Sequence, residues 1–200
     1  MTRGTSYWAY GIAGWSGFYV MLVELLSGRL IATFFGNNIY VWGSVIFVFM
    51  LGLAIGYLLG GLYSQRKPTI AALGIILWAS AAATMPILLV GNAFLTRVFD
   101  NVTDPRTGSL ITCMMLFFLP AIFAGMISPC AIRMIVKSRE SSGRDAGTLY
   151  FVSTVGSSIG TLLTAFYLVL WFEVNTILIG AMSVSFLLGA VAQIANRKAG

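Results

Sequence analysis

Two charged side chains stand inside the first apolar stretch of this chain, Glu24 and Arg29, five positions apart in the run VELLSGRL. Burying an ionised group in a bilayer costs about 2.5–3.5 kcal/mol on insertion scales, so such residues normally face a bundle interior or an aqueous cavity. A carboxylate in that setting can bind a cation or carry a proton, or it can serve structurally as a hydrogen-bond or ion-pair partner for a neighbouring helix. Arg29 has a simpler alternative use, as an anchor whose long stem snorkels to the outer interface. Five residues correspond to about 140° around an α-helix, a poor angle for the two to pair with each other. They form the candidate intramembrane polar site.

Glu24 belongs to a stripe. Gly14, Gly17, Met21, Glu24 and Gly28 recur at spacings of 3, 4, 3 and 4, which places them on one face of a helix. Small residues mark close helix contact in membranes, so this face is expected to turn toward protein, and Glu24 with it. The next apolar stretch carries Gly52, Gly56 and Gly60 four residues apart, and a similar patch, Gly156 and Gly160 followed by Thr164, comes much later. All of these glycines read as helix-packing positions.

The elements that hold these residues follow from composition. The 200 residues are 58% hydrophobic and 9% charged, more apolar surface than a soluble domain of this length can bury. At about 20 apolar residues per crossing, the sequence predicts an all-α polytopic membrane protein. It is one domain, 1–200, of six transmembrane helices with spans near 8–34, 39–62, 69–94, 109–131, 147–170 and 174–194. Tyr7, Trp8, Tyr10, Tyr40, Trp42, Trp171 and Phe172 fall at span ends as interface anchors. No small-residue cleavage pattern follows Arg3, so the first span is expected to stay. Pro86, Pro120 and Pro129 each remove a backbone donor and predict kinks in spans three and four. The second and fifth spans, with their glycine faces, are the middle members of two triplets. An internal three-plus-three repeat places them so, as in half of a major facilitator transporter.

The formal charge of +6 resides in short connections. With the N-terminus in the cytoplasm, that side receives Arg3, Arg66, Lys67, Arg133, Lys137, Arg139, Arg144, Arg197 and Lys198, nine of the 12 basic residues, and the other side keeps Arg29, Arg97 and Arg106. This bias predicts both termini on the cytoplasmic side of a plasma (inner) membrane, and it accounts for the basic excess without a nucleic-acid partner. Two connections stand out. Residues 95–108, LTRVFDNVTDPRTG, read as the largest loop on the far side. Residues 132–146, IRMIVKSRESSGRDA, read as the longest polar run on the cytoplasmic side, where Arg133, Lys137, Arg139 and Arg144 can hold anionic lipid headgroups or dock a soluble protein.

Several chemistries are excluded. The chain has no histidine and two cysteines, Cys113 and Cys130, which sit in one predicted span too far apart to bridge. The usual zinc constellation, bis-histidine haem and histidine-dependent triads are therefore ruled out. No metal, cofactor or catalytic residue is expected.

Certain runs resemble a known family. Glu24-Leu25-Leu26-Ser27-Gly28-Arg29-Leu30, Phe35-Gly36-Asn37, Tyr40-Val41-Trp42-Gly43 and Leu51-Gly52-Leu53-Ala54-Ile55-Gly56-Tyr57 through Gly60-Gly61 resemble the N-terminal membrane region of spermidine-synthase-like membrane proteins, the fused major facilitator/spermidine synthase proteins. Ser128-Pro129, Ile132-Arg133 and the run from Gly143-Arg144-Asp145-Ala146-Gly147-Thr148-Leu149-Tyr150 to Thr154, Gly156, Gly160, Thr161 and Phe166-Tyr167 look like that family's following segments. Full members carry a soluble aminopropyltransferase-like domain with a glycine-rich nucleotide loop and an acidic polyamine pocket. These 200 residues hold neither, and no catalytic residue carries over. The resemblance implies a stand-alone membrane module that is no enzyme by itself, paired with a separately encoded soluble subunit.

Three functions are compatible with the sequence. The first is a membrane subunit serving a soluble synthase-like partner. The second is a six-helix transporter-like protein for a small, cationic solute, acting as a homodimer that imitates a twelve-helix carrier. The third is a structural subunit of a larger membrane complex.

Overall fold

The computed structural model describes residues 3–65, 69–136 and 138–199. Among them there is no strand, and six helices are long and apolar enough to cross a membrane. They are α1 (Arg3–Phe35), α2 (Ile39–Tyr63), α3 (Ile70–Asn101), α4 (Pro105–Ile135), α5 (Ser142–Trp171) and α6 (Val174–Ala199).

Short, well-satisfied turns join them. Gly36, at φ +82°, ends α1 in the left-handed conformation that a helix terminus favours and a glycine adopts freely. Asn38 then works in both directions. Its amide donates to the Phe35 carbonyl at 2.8 Å, and its side-chain oxygen accepts from the Tyr40 and Val41 N–H groups at 3.0 and 3.1 Å, capping α2. Asp104 caps α4 with Pro105 in the first turn.

Two expected loops are largely helix. Residues 95–101 continue α3, with Leu95 and Val98 buried and Thr96, Arg97 and Asp100 exposed, so the link on that side shrinks to 102–104. Residues 132–135 finish α4 and 142–146 begin α5. A span length measured in apolar residues reports the stretch matched to lipid, whereas the helix itself continues wherever one face still finds protein. Lys137, Arg66 and Lys67 lie outside the described residues.

Pro86, Pro120 and Pro129 sit inside uninterrupted helices. A change of helical register falls in α5, where Thr164–Leu168 form a π-turn and the Val169 N–H donates to the Thr164 carbonyl five residues back.

Cross-helix neighbours define the arrangement. Gly14 meets Val152 and Phe18 meets Gly160, so α1 and α5 run parallel. Gly52 meets Ala121 and Gly60 meets Met126, so α2 and α4 run parallel as well. Gln193 donates to the Ala71 carbonyl and Trp78 to the Phe186 carbonyl, which makes α3 and α6 antiparallel. Exchanging the first three helices for the last three turns the α1–α5 pair into α4–α2 and returns α3–α6 to itself. The symmetry is imperfect, since α3 packs broadly on α4 while its counterpart α6 touches α1 sparingly.

The glycine faces are where backbones meet. A Cβ on Gly56 would strike the Ile122 carbonyl and the Gly125 backbone, one on Gly17 the Ser153 carbonyl, and one on Gly156 the Gly14 carbonyl. Gly28 instead accommodates the Trp42 ring, 2.7 Å from where its Cβ would stand. Two apolar clusters fill the bundle. Ile12, Leu73, Leu77, Ile127 and Leu149 pack toward the end bearing the termini, and Leu22, Leu26, Ile31, Leu95 and Phe117 toward the other.

Candidate functional site

Between those clusters runs a belt of hydroxyls. Tyr19 on α1 donates to Thr84 on α3 at 2.8 Å, and Thr84 donates on to the Ser80 carbonyl at 2.9 Å. Ser80 donates to the Pro120 carbonyl on α4 at 3.3 Å, and Ser16 donates to the Ala124 carbonyl at 3.2 Å. Trp15 donates through its indole to Ser185 on α6 at 2.9 Å, and Ser185 to the Ala181 carbonyl. The belt ties α1, α3, α4 and α6 together at mid-depth, where lipid offers no competing partner. Its members were missed as a site in the sequence. The available signal was Ser, Thr and Tyr inside otherwise apolar spans.

Glu24 and Arg29 are not brought to one place. Glu24 is half-buried, and the nearby Ser27 hydroxyl donates to the Glu24 backbone carbonyl at 2.7 Å rather than to its carboxylate. The stripe it shares does face protein, with Gly14 and Gly17 on α5 and Gly28 on α2. Arg29 is exposed and lines an open groove of about 390 Å³ between α1, the start of α2 and the π-turn of α5, a groove that Glu24 does not line.

The end bearing the termini carries a second feature. Arg133, Ser64, Ser142, Gly143 and Tyr150 line a pocket of about 520 Å³ where α2, α4 and α5 converge. Arg139 and Arg144 stand exposed beside it. The Ser141 hydroxyl donates to Asp145 at 2.9 Å, which leaves a carboxylate in the first turn of α5 to complement the positive end of that helix. At the opposite end Arg106 lies over the Tyr40 ring, 4.5 Å from its centroid, and donates to the Tyr40 hydroxyl at 2.9 Å. Asp104 accepts from the Arg106 N–H at 3.2 Å and the Thr107 hydroxyl at 2.9 Å, and these bonds hold its carboxyl below the usual aspartate range.

Cys113 and Cys130 are free and buried, and the Cys130 thiol donates to the Gly60 carbonyl at 3.3 Å across the α2–α4 contact. They pack as small apolar residues. The molecule therefore offers three separate features, a half-buried carboxylate, a groove with a cation, and a basic pocket at the end bearing the termini. No protein-family model, no curated protein and no solved structure matches this chain.

Proposed function

We propose that this chain is an integral membrane subunit, resembling the membrane part of spermidine-synthase-like proteins, that holds a separate soluble subunit or larger complex at its cytoplasmic face. The supporting observation is the pocket around Arg133, flanked by exposed Arg139, Arg144 and Glu140 with Asp145 in the adjoining turn. Charges of both signs beside a concave surface give a partner orientation as well as attraction. The reading puts both termini in the cytoplasm of a cell bounded by this membrane, following the Lys/Arg bias. Affinity purification in mild detergent, followed by mass spectrometry, should recover a soluble partner. Replacing Lys137, Arg139 and Arg144 together by Ala should weaken that association and make the remainder less sensitive to salt. Equal recovery from parent and triple variant would move the docking surface elsewhere.

The swapped pairs α1–α5 and α2–α4 favour a second reading, a transporter-like half that works as a homodimer, with Glu24 as the cation site. Saturable uptake of a cationic solute into proteoliposomes, abolished by Glu24→Gln, would support it. Flux that this variant leaves unchanged would sink it.

A further inference from the structure

The groove at Arg29 combines three features that have no common explanation in packing. Its walls are apolar, with Leu25 on α1 and Val169 on α5. Arg29 lines it, exposed, with no acidic residue beside it in the lining. Thr164 also lines it, fully buried, and its hydroxyl is the one buried side-chain polar atom among the described residues with no hydrogen-bond partner.

That last point is unusual for this protein. Thr84, Thr96, Thr112, Thr148 and Thr161 each donate to the carbonyl four residues earlier in their own helix. Thr164 opens the π-turn, where the backbone leaves the α-helical register, and its hydroxyl is left with a free donor. An unmade bond on a buried hydroxyl is costly, because the group has left water without a replacement partner, and irregular turns of this type recur at functional sites. At the mouth, Trp42 donates to Asn37 at 2.7 Å, so those two polar groups are already occupied with each other. The volume of about 390 Å³ lies within the range of small-molecule sites, roughly 300–1,000 Å³.

We infer that this groove binds one anionic phospholipid from the leaflet at the end opposite the termini, with the phosphate on Arg29, an acyl chain along Leu25 and Val169, and an ester oxygen accepting from Thr164. Charge complementarity selects the occupant. An acyl chain matches the apolar walls, and a net negative headgroup matches a cation that has no acid beside it in the groove, where a zwitterionic headgroup would bring a competing cation of its own. The inference is independent of the partner reading above, because it concerns the other end of the molecule and the lipid itself.

The test uses the full chain, purified and incubated with phosphatidylglycerol or phosphatidylcholine, with retained lipid counted by native mass spectrometry and melting followed in parallel. Phosphatidylglycerol should be retained preferentially and should raise the melting temperature. An excess of inorganic phosphate should not displace it. Arg29→Gln should weaken phosphatidylglycerol binding roughly tenfold to a hundredfold, as loss of a charge-assisted bond does, and Thr164→Val roughly two- to tenfold. Thr164→Val should also melt higher than the parent when no lipid is added, since it removes an unsatisfied hydroxyl, and should lose that advantage with phosphatidylglycerol present. Arg97→Gln, at an exposed position on α3, should bind like the parent. Equal retention of the two lipids, displacement by phosphate, or parent-like binding by either groove variant overturns the proposal.

Discussion

At the scale of single residues, the contacts divide glycines that are required from glycines that are merely present. Gly56 has the Ile122 carbonyl and Gly125 backbone where its Cβ would be, whereas Gly61, five residues on in the same helix, has nothing within 4 Å. Gly56→Ala should therefore cost roughly 1–3 kcal/mol through overpacking against rigid backbone. Gly61→Ala should leave stability unchanged or raise it slightly, since alanine is the better helix former. Melting of both variants in the same detergent checks the pair, and equal losses would mean that α2 and α4 do not meet backbone to backbone at Gly56. Asp104 supplies a pH dependence. Its folded carboxyl titrates below the unfolded one because the Arg106 N–H and Thr107 hydroxyl favour the charged form. The cap is thus fully stabilising above the unfolded aspartate value, about 3.9, and is lost as pH falls through the lower folded value. Melting the parent and Asp104→Asn from neutral pH down to about 3 should show the parent losing stability relative to the variant only at the acid end, where its charge disappears.

At the scale of helices, the hydroxyl belt should contribute modestly but measurably. Tyr19→Phe removes the bond to Thr84 and should destabilise by about 0.6 kcal/mol, at most about 1.7, the span found for interhelical bonds within membranes. Detergent or urea unfolding of the two proteins measures it, and a larger loss would mark the belt as a cooperative network. How far such elements can be read from sequence depends on what each residue pattern reports. The six apolar runs stand out, and the 3-4 spacing of Gly14, Gly17, Met21, Glu24 and Gly28 marks a face of α1 whose glycines lie against α5 and α2. The extension of α3 through 95–101 did not stand out. Arg97 and Asp100 look like loop when counted by polarity, yet Leu95 and Val98 keep one buried face three residues apart. The π-turn was invisible as well, because no proline or glycine lies within Thr164–Leu168 and its register depends on how α5 meets α1. Of the groove, Arg29 is legible in the sequence by its charge. Thr164 reads in the sequence only as a continuation of the Gly156–Gly160 patch.

At the scale of the whole molecule, orientation is the prediction that most constrains function. The Lys/Arg distribution predicts a cytoplasmic α4–α5 connection. Ser141→Cys offers a clean probe, because the native thiols Cys113 and Cys130 are buried. A membrane-impermeant maleimide should leave it unmodified in intact cells and label it once the membrane is opened. Labelling from outside would invert the topology and with it the partner reading.

One consequence follows from α5. In its most apolar stretch only 11% of residues are buried, against 33–50% in the other five helices, and what it does bury lies chiefly on α1. Gly14 and Gly156 meet in the finished bundle but are separated by roughly seven-tenths of the 200-residue chain. During synthesis, at about 5–20 residues per second, the ribosome delivers α5 on the order of 10 s after α1 has entered the membrane. For that interval the face of α1 around Gly14 and Gly17, which meets α5 in the finished bundle, waits beside the translocation machinery without its partner. Nascent chains arrested before α5 should expose this face to crosslinkers and to quality-control proteases, and release just beyond Trp171 should protect it.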